Sequence, residues 1–237
     1  EVMSVKTKNF IVSLLISLVY FLGISRFSTL ANKYLKSEFV LKNISNINIV
    51  LSLIFVVLIY LLCKKFPTNS ISKDSKKEPL VKSILIGACS GIALLVVIQI
   101  VYKVLGFLGY PYDMTGEFIR IKNVVSNNKI ALINLVFIIP FVTEIVYRNV
   151  VFGYLYDLYE GGYKFVRLFT PACLSGILFA LINVKHALPI VVEAVIISLT
   201  FGYVYLKTKR IESAIIGHIV FSIGIVILSF IVKTSVL

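Results

Sequence analysis

The chain has 237 residues, of which 59% are hydrophobic and 15% are charged. A soluble domain has about a quarter of its residues charged, so this composition excludes an ordinary soluble domain. The net charge of +13 does not indicate a nucleic-acid-binding protein, because the basic residues lie at the ends of apolar segments and form no stripe of their own. We therefore expect the lipid bilayer to be a partner and expect no nucleic acid.

Seven apolar segments follow one another along the chain, and each is close to the length of a transmembrane helix. A backbone in hydrocarbon must pair its amides within its own segment, so continuous apolar runs of this kind form helices. The predicted fold class is all-α: a polytopic transmembrane helical bundle of about seven spans. The spans are predicted over residues 10–25, 46–63, 83–104, 130–152, 166–183, 187–206 and 211–232.

The lysine-rich loop between the second and third predicted spans sets the expected orientation. It holds six lysines over residues 64–82, and short loops of this kind favour the cytoplasmic side. This places the N-terminus in the cytoplasm of a multi-pass protein of the cell membrane, with Lys73 inside and Lys122 outside. Residues 1–129 supply the N-terminal spans and loops, and residues 130–237 complete one continuous membrane domain.

Four ionisable residues lie in the interior of the predicted spans, away from the span ends: Glu144, Arg148, Glu193 and His218. A charge in hydrocarbon is costly, so such residues usually face the interior of a bundle and mark a function. Glu144 and Arg148 are four residues apart on one helical face and can form an ion pair. The pair could serve a function or could only fasten the helix to its neighbours, and the spacing does not decide between the two. Pro140, one turn earlier, predicts a kink.

The sequence predicts no metal and no cofactor. The chain has two histidines, His186 and His218, and no HExxH sequence, whereas a catalytic zinc usually takes three protein ligands. A metal site would need both histidines to converge with Glu144 and Glu193, which we do not expect. The sequence also contains no Gly-rich phosphate loop, no Ser-His-Asp arrangement and no Cys-His pair.

The segment FVTEIVYRNVVFG, over residues 141–153, resembles the first motif of a known family. This is the CPBP family, the CAAX-protease and bacteriocin-processing (Abi) membrane proteins. Its first motif is a Glu-Glu pair followed by three residues and an Arg. Glu144 matches the second Glu and Arg148 matches the Arg, whereas Thr143 stands where the first Glu belongs.

Two further segments resemble the second and third family motifs. In SGILFALIN, Phe179 matches the Phe of the second motif, and Asn183 replaces its His. In GHIVFS, His218 matches the His of the third motif, and Ser222 replaces its Asn. The resemblance covers about residues 130–225 and identifies residues 130–237 as a CAAX-protease-like core.

The resemblance implies hydrolysis of peptides within the membrane. In the family, the first Glu and the His of the second motif activate a water, and the His and Asn of the third stabilise the oxyanion. A Thr hydroxyl cannot take up a proton near neutral pH, and an Asn cannot act as a base. The candidate catalytic positions are therefore of two kinds, the retained Glu144, Arg148 and His218 and the substituted Thr143, Asn183 and Ser222.

These replacements favour a catalytically impaired homologue, or pseudoenzyme, over an enzyme. Such a protein would act as a scaffold or regulator of a membrane or cell-wall protein partner, or in self-immunity against a bacteriocin. The alternative is an active intramembrane endopeptidase of the CAAX type that uses Glu144 and His218. A third hypothesis, a transporter that couples an ion to Glu193 or Glu144, is less favoured because no half-helix repeat is visible.

Overall fold

The computed structural model describes residues 5–21, 38–65, 69–73, 76–183 and 187–231, and this part of the chain contains no β-strand. The described residues form eight helices, and a short 3-10 turn lies between the second and third of them. The helices are α1 (Val5–Tyr20), α2 (Glu38–Lys65), α3 (Leu80–Phe107), α4 (Met114–Asn127), α5 (Lys129–Leu158), α6 (Lys164–Asn183), α7 (Leu188–Thr208) and α8 (Ile211–Ile231).

Five helices of the described residues are long and apolar enough to cross a membrane: α3, α5, α6, α7 and α8. The apolar stretches described within α1 and α2 are shorter, at Lys8–Tyr20 and Ile49–Ile59. The protein is therefore an all-α, multi-pass membrane protein, which confirms the predicted fold class. Whether α1 and α2 complete a set of seven spans stays a prediction.

The fifth helix, α5, is irregular around Pro140. An α-helical turn at Ile139–Glu144 lies between two π-helical segments, Asn134–Ile138 and Ile145–Phe152. Proline has no backbone N–H and cannot donate the hydrogen bond of a normal helical turn, so wider turns next to it are expected. The kink predicted at Pro140 stays a prediction. The change of helix type places Glu144 at the junction with the second π-helical segment.

Small residues hold α8 directly against α3. A side-chain carbon added at Gly87 would overlap with the carbonyl oxygen of Ser213, and one added at Gly91 would overlap with that of Gly217. Glycine at such positions lets two helix backbones approach closely and pack tightly in a membrane. This contact fixes the position of α8, the helix that carries the third motif.

The two N-terminal helices pack on one face of α5. Tyr20 of α1 lies edge-on to Tyr147 of α5, with their ring centroids 5.7 Å apart. The rest of this buried apolar cluster comes from α1, α2 and α5, and comprises Ile16, Phe55, Ile59, Val142, Val146 and Val150. The first two helices thus cover the part of α5 that holds the first motif.

The two lysines used to predict the orientation lie near opposite ends of α8. Lys73 lines a pocket together with Lys209, which lies two residues before the first residue of α8. The ammonium group of Lys122 lies 6.0 Å from the ring centroid of Phe230, the penultimate residue of α8. Because a helix of 21 residues is about 30 Å long, this separation supports their placement on opposite sides of a membrane. Which side is cytoplasmic stays a prediction.

Candidate active site

Glu144 is the centre of a buried polar cluster. Its side chain has no exposed surface, and its Oε1 lies 2.7 Å from Nδ1 of His218 on α8. Its other oxygen, Oε2, lies 3.1 Å from Nε of Arg148, four residues later on α5. The structure therefore brings together the three ionisable residues that match the family motifs without substitution.

Arg148 is almost as buried as Glu144, with 3% of its side chain exposed. The distance between the two groups is that of an ion pair, but neither Nε of Arg148 nor Oε2 of Glu144 has a hydrogen bond of acceptable geometry. The contact is therefore mainly electrostatic. In a bundle interior such a pair offsets the cost of burying each charge separately.

Two aromatic rings contact the ring of His218. Phe201 stacks on it, with centroids 5.5 Å apart and planes at 22°, and Phe221 makes an edge contact with a centroid distance of 6.3 Å. When Glu144 is ionised, its oxygen can only accept a hydrogen bond, and Nδ1 of His218 is then the donor. A neutral ring held in this way keeps Nε2 as an acceptor, and 12% of the His218 side chain is exposed.

Thr143 uses its hydroxyl within its own helix. The group donates to the carbonyl oxygen of Ile139 at 2.8 Å and also lies 3.1 Å from that of Pro140. The side chain is buried. At the position of the family's first Glu, the chain therefore has a group that stabilises a helical turn and has no proton-accepting role.

The two other substituted positions are separate from the Glu144 cluster or outside the described side chains. Ser222, one turn after His218 on α8, lines a cavity of about 200 Å³. Asn183 is the last residue of α6, and its side chain is outside the described part of the structure, as is His186. Within the described residues, no three His, Cys, Asp or Glu side chains converge as metal ligands.

The comparisons with known proteins agree with the motif resemblance. The family model described as "Type II CAAX prenyl endopeptidase Rce1-like" matches residues 126–224, a range that contains all three motif segments. We call residues 126–224 the Rce1-like core because of this similarity. No curated protein and no solved structure matches the chain.

Within the Rce1-like core, the second motif segment supports the first, a contact that the sequence did not reveal. The hydroxyl of Ser175 on α6 donates to the backbone carbonyl of Tyr147 at 2.9 Å. The ring of Phe179, one turn later, lies edge-on to that of Tyr147 at 5.1 Å. A π-helical segment such as Ile145–Phe152 leaves carbonyl groups in irregular positions, and this serine satisfies one of them.

A second contact missed by the sequence analysis joins the loop before α3 to the Rce1-like core. The side-chain amide of Asn69 donates to the backbone oxygen of Asn149 at 2.6 Å and to its side-chain oxygen at 2.9 Å. The hydroxyl of Tyr205 on α7 donates to the same side-chain oxygen at 3.0 Å. The position of Asn149, a polar residue directly after Arg148 in an apolar span, was the available signal.

Glu193, the fourth ionisable residue within the predicted spans, contacts a different partner. Its Oε2 accepts a hydrogen bond from the hydroxyl of Tyr102 on α3, and both residues line the cavity that contains Ser222. Tyr112, in the loop before α4, stacks on Tyr102 with centroids 4.7 Å apart. Partial burial, followed by the negative charge of Glu117, raises the pKa of Tyr112 to about 12, so its phenol is neutral at physiological pH.

Proposed function

We propose that this protein is a catalytically impaired homologue of the Rce1-like endopeptidases, and that it acts by binding a protein partner in the membrane or cell wall. One observation carries this proposal. Glu144, the carboxylate adjacent to the lost family base, has no exposed surface, and both of its oxygens face a positively charged or hydrogen-bonding partner. A general base must reach the water that it activates, and Glu144 is enclosed by Arg148 and His218 instead.

Thr143 supports the same conclusion. Its hydroxyl is bonded to the backbone of α5, so this position offers no base in place of the missing Glu. Loss of a general base commonly lowers a rate by about 10²–10⁴-fold. Because Asn183 also replaces a water-activating His, we expect cleavage to fall below a useful rate. The partner classes come from the family resemblance: a membrane or cell-wall protein that is scaffolded or regulated, or a bacteriocin against which the protein protects.

A second candidate function, peptide cleavage with His218 as the base, is favoured by one distance. The 2.7 Å contact from Glu144 to Nδ1 orients the ring as the carboxylate of a catalytic triad orients its histidine, and leaves Nε2 as an acceptor. In this alternative, Nε2 of His218 would take the proton of an attacking water. Glu144 would then be a positioning residue.

A cleavage assay separates the two candidates. The full chain, reconstituted in lipid nanodiscs, is incubated with a fluorescent prenylated CAAX peptide, the substrate class named by the matching family. We expect the wild type to match empty nanodiscs, and the restored variant Thr143→Glu/Asn183→His/Ser222→Asn to gain activity. Adding His218→Ala to the restored variant is the matched control and should remove that gain.

The opposite result would assign the activity to His218. Cleavage by the wild type, abolished by His218→Ala in a protein that still elutes as a folded species, would overturn the impaired-homologue proposal. The binding role is checked by crosslinking in native membranes and recovery of the tagged chain. We expect His218→Ala to retain the same crosslinked partner as the wild type, because partner binding in this proposal does not require catalysis by His218.

A further inference from the structure

The cavity that contains Ser222 has apolar walls and a few polar side chains. It has a volume of about 200 Å³ and lies among α3, α4, α5, α7, α8 and the loop before α4. A cavity of about 150 Å³ can hold a benzene molecule, so this one has room for a small organic ligand. Most of its wall is apolar, and its polar groups are Tyr102, Tyr112, Glu117, Glu193 and Ser222.

Glu193 differs from the other carboxylates of this region in its partner. Glu144 pairs with Arg148, and Glu117 pairs with Arg120, whereas the bond described for Glu193 comes from the neutral hydroxyl of Tyr102. Within the described residues, no ion pair joins Glu193 to a Lys, Arg or His, and the hydrogen bond from Tyr102 is to Oε2. The charged form of a carboxyl group at this depth is costly without a positive partner, and a cationic ligand in the cavity would supply one.

Two aromatic rings add a second feature that suits a cation. Tyr102 and Tyr112 stack with their planes at 11°, and both line the cavity next to Glu193. The face of an aromatic ring attracts an ammonium group, and this attraction strengthens when water is excluded. Carboxylate, aromatic faces and apolar walls together match a ligand with one positive charge and an apolar body.

We propose that this cavity binds a small apolar amine, whose ammonium group pairs with Oε1 of Glu193 and whose apolar part contacts residues such as Ile98 and Phe118. The proposal goes beyond the function proposed above and does not rest on it, because Glu193 and Tyr102 lie outside the three motifs. It holds whether or not the protein cleaves peptides.

The test compares two probes of nearly the same shape. Binding of 2-phenylethylamine and of 2-phenylethanol to the full chain in nanodiscs is measured by calorimetry at pH 7, with empty nanodiscs subtracted. Hydrogen bonds to charged groups are stronger than neutral ones, so the amine should bind at least about tenfold more tightly than the alcohol. Glu193→Gln should remove at least about tenfold of the amine affinity and leave the alcohol unchanged.

Two further variants keep the result interpretable. Glu212→Gln removes an exposed carboxylate from the other end of α8 and should leave both affinities unchanged. Ile225→Phe enlarges a side chain in the cavity wall and should weaken the binding of both probes. If Glu193→Gln does not fold, this variant tests whether the probes bind in the cavity. Equal affinity for amine and alcohol would overturn the proposal, as would an amine affinity that Glu193→Gln leaves unchanged. Binding no greater than that of empty nanodiscs would overturn it as well.

Discussion

Removing one member of the Glu144–Arg148 pair should destabilise the protein far more than removing both. The two side chains are 0% and 3% exposed, with their charged atoms 3.1 Å apart, so a single change leaves one charge uncompensated in the bundle. Such a change commonly costs about 3–5 kcal/mol. Glu144→Gln should cost more than Arg148→Met, because in the second variant His218 still contacts the carboxylate. The double variant should recover about 2 kcal/mol or more, as groups in direct contact are coupled.

An exposed pair of the same spacing provides the control. Glu78 and Lys82 are also four residues apart, at 2.9 Å, but their side chains are 30% and 58% exposed. Their coupling should be about 0.3–0.5 kcal/mol. The free energy of unfolding is measured for both cycles by titrating detergent micelles with a denaturing detergent and following helical circular dichroism. If the losses of Glu144→Gln and Arg148→Met simply add, so that their coupling is no larger than that of the control pair, the reasoning is wrong.

Two other predictions follow from the packing and from the lysine distribution. Gly87→Ala should lower the free energy of unfolding by about 1–3 kcal/mol in the same assay, because the added methyl group overlaps with the carbonyl oxygen of Ser213. Gly106→Ala, in the same helix but facing open space, should be neutral or slightly stabilising. In a background without native cysteines, Lys122→Cys should react with an impermeant thiol reagent from outside intact cells and Lys73→Cys should not. The reverse labelling would refute the predicted orientation.

Hydropathy predicted where the apolar segments lie but not where the helices end. The prediction of 211–232 agrees with α8, whereas α2 begins at Glu38, eight residues before its predicted span, and α5 continues to Leu158. Hydropathy shows which residues are apolar enough to lie in the hydrocarbon layer. A helix can continue beyond that layer as long as its backbone hydrogen bonds are satisfied. Asp157, beyond the predicted span, belongs to this polar extension and accepts a hydrogen bond from the backbone of Ser70.

Local helix spacing predicted one contact of the site and missed the others. The Glu144–Arg148 pair follows from an interval of four residues on one helix. The contact between Glu144 and His218 joins residues 74 positions apart, and that between Tyr102 and Glu193 joins residues 91 positions apart. Periodicity carries no information about such distances. The family resemblance linked the first of these pairs, and no motif marks the second.

The stability of the Glu144 network offers a reason for the presence of these three residues that does not require catalysis. The three retained positions, Glu144, Arg148 and His218, are the ones that contact one another in the bundle interior. Each of them, if replaced alone, leaves a buried polar or charged partner without its counterpart, which is costly in any membrane protein. Thr143 bonds only to the backbone of its own helix, and Ser222 lines a cavity, so a change at either position leaves that network intact. Retention of Glu144, Arg148 and His218 is therefore explained by folding alone, and only a cleavage measurement can assign them a catalytic role.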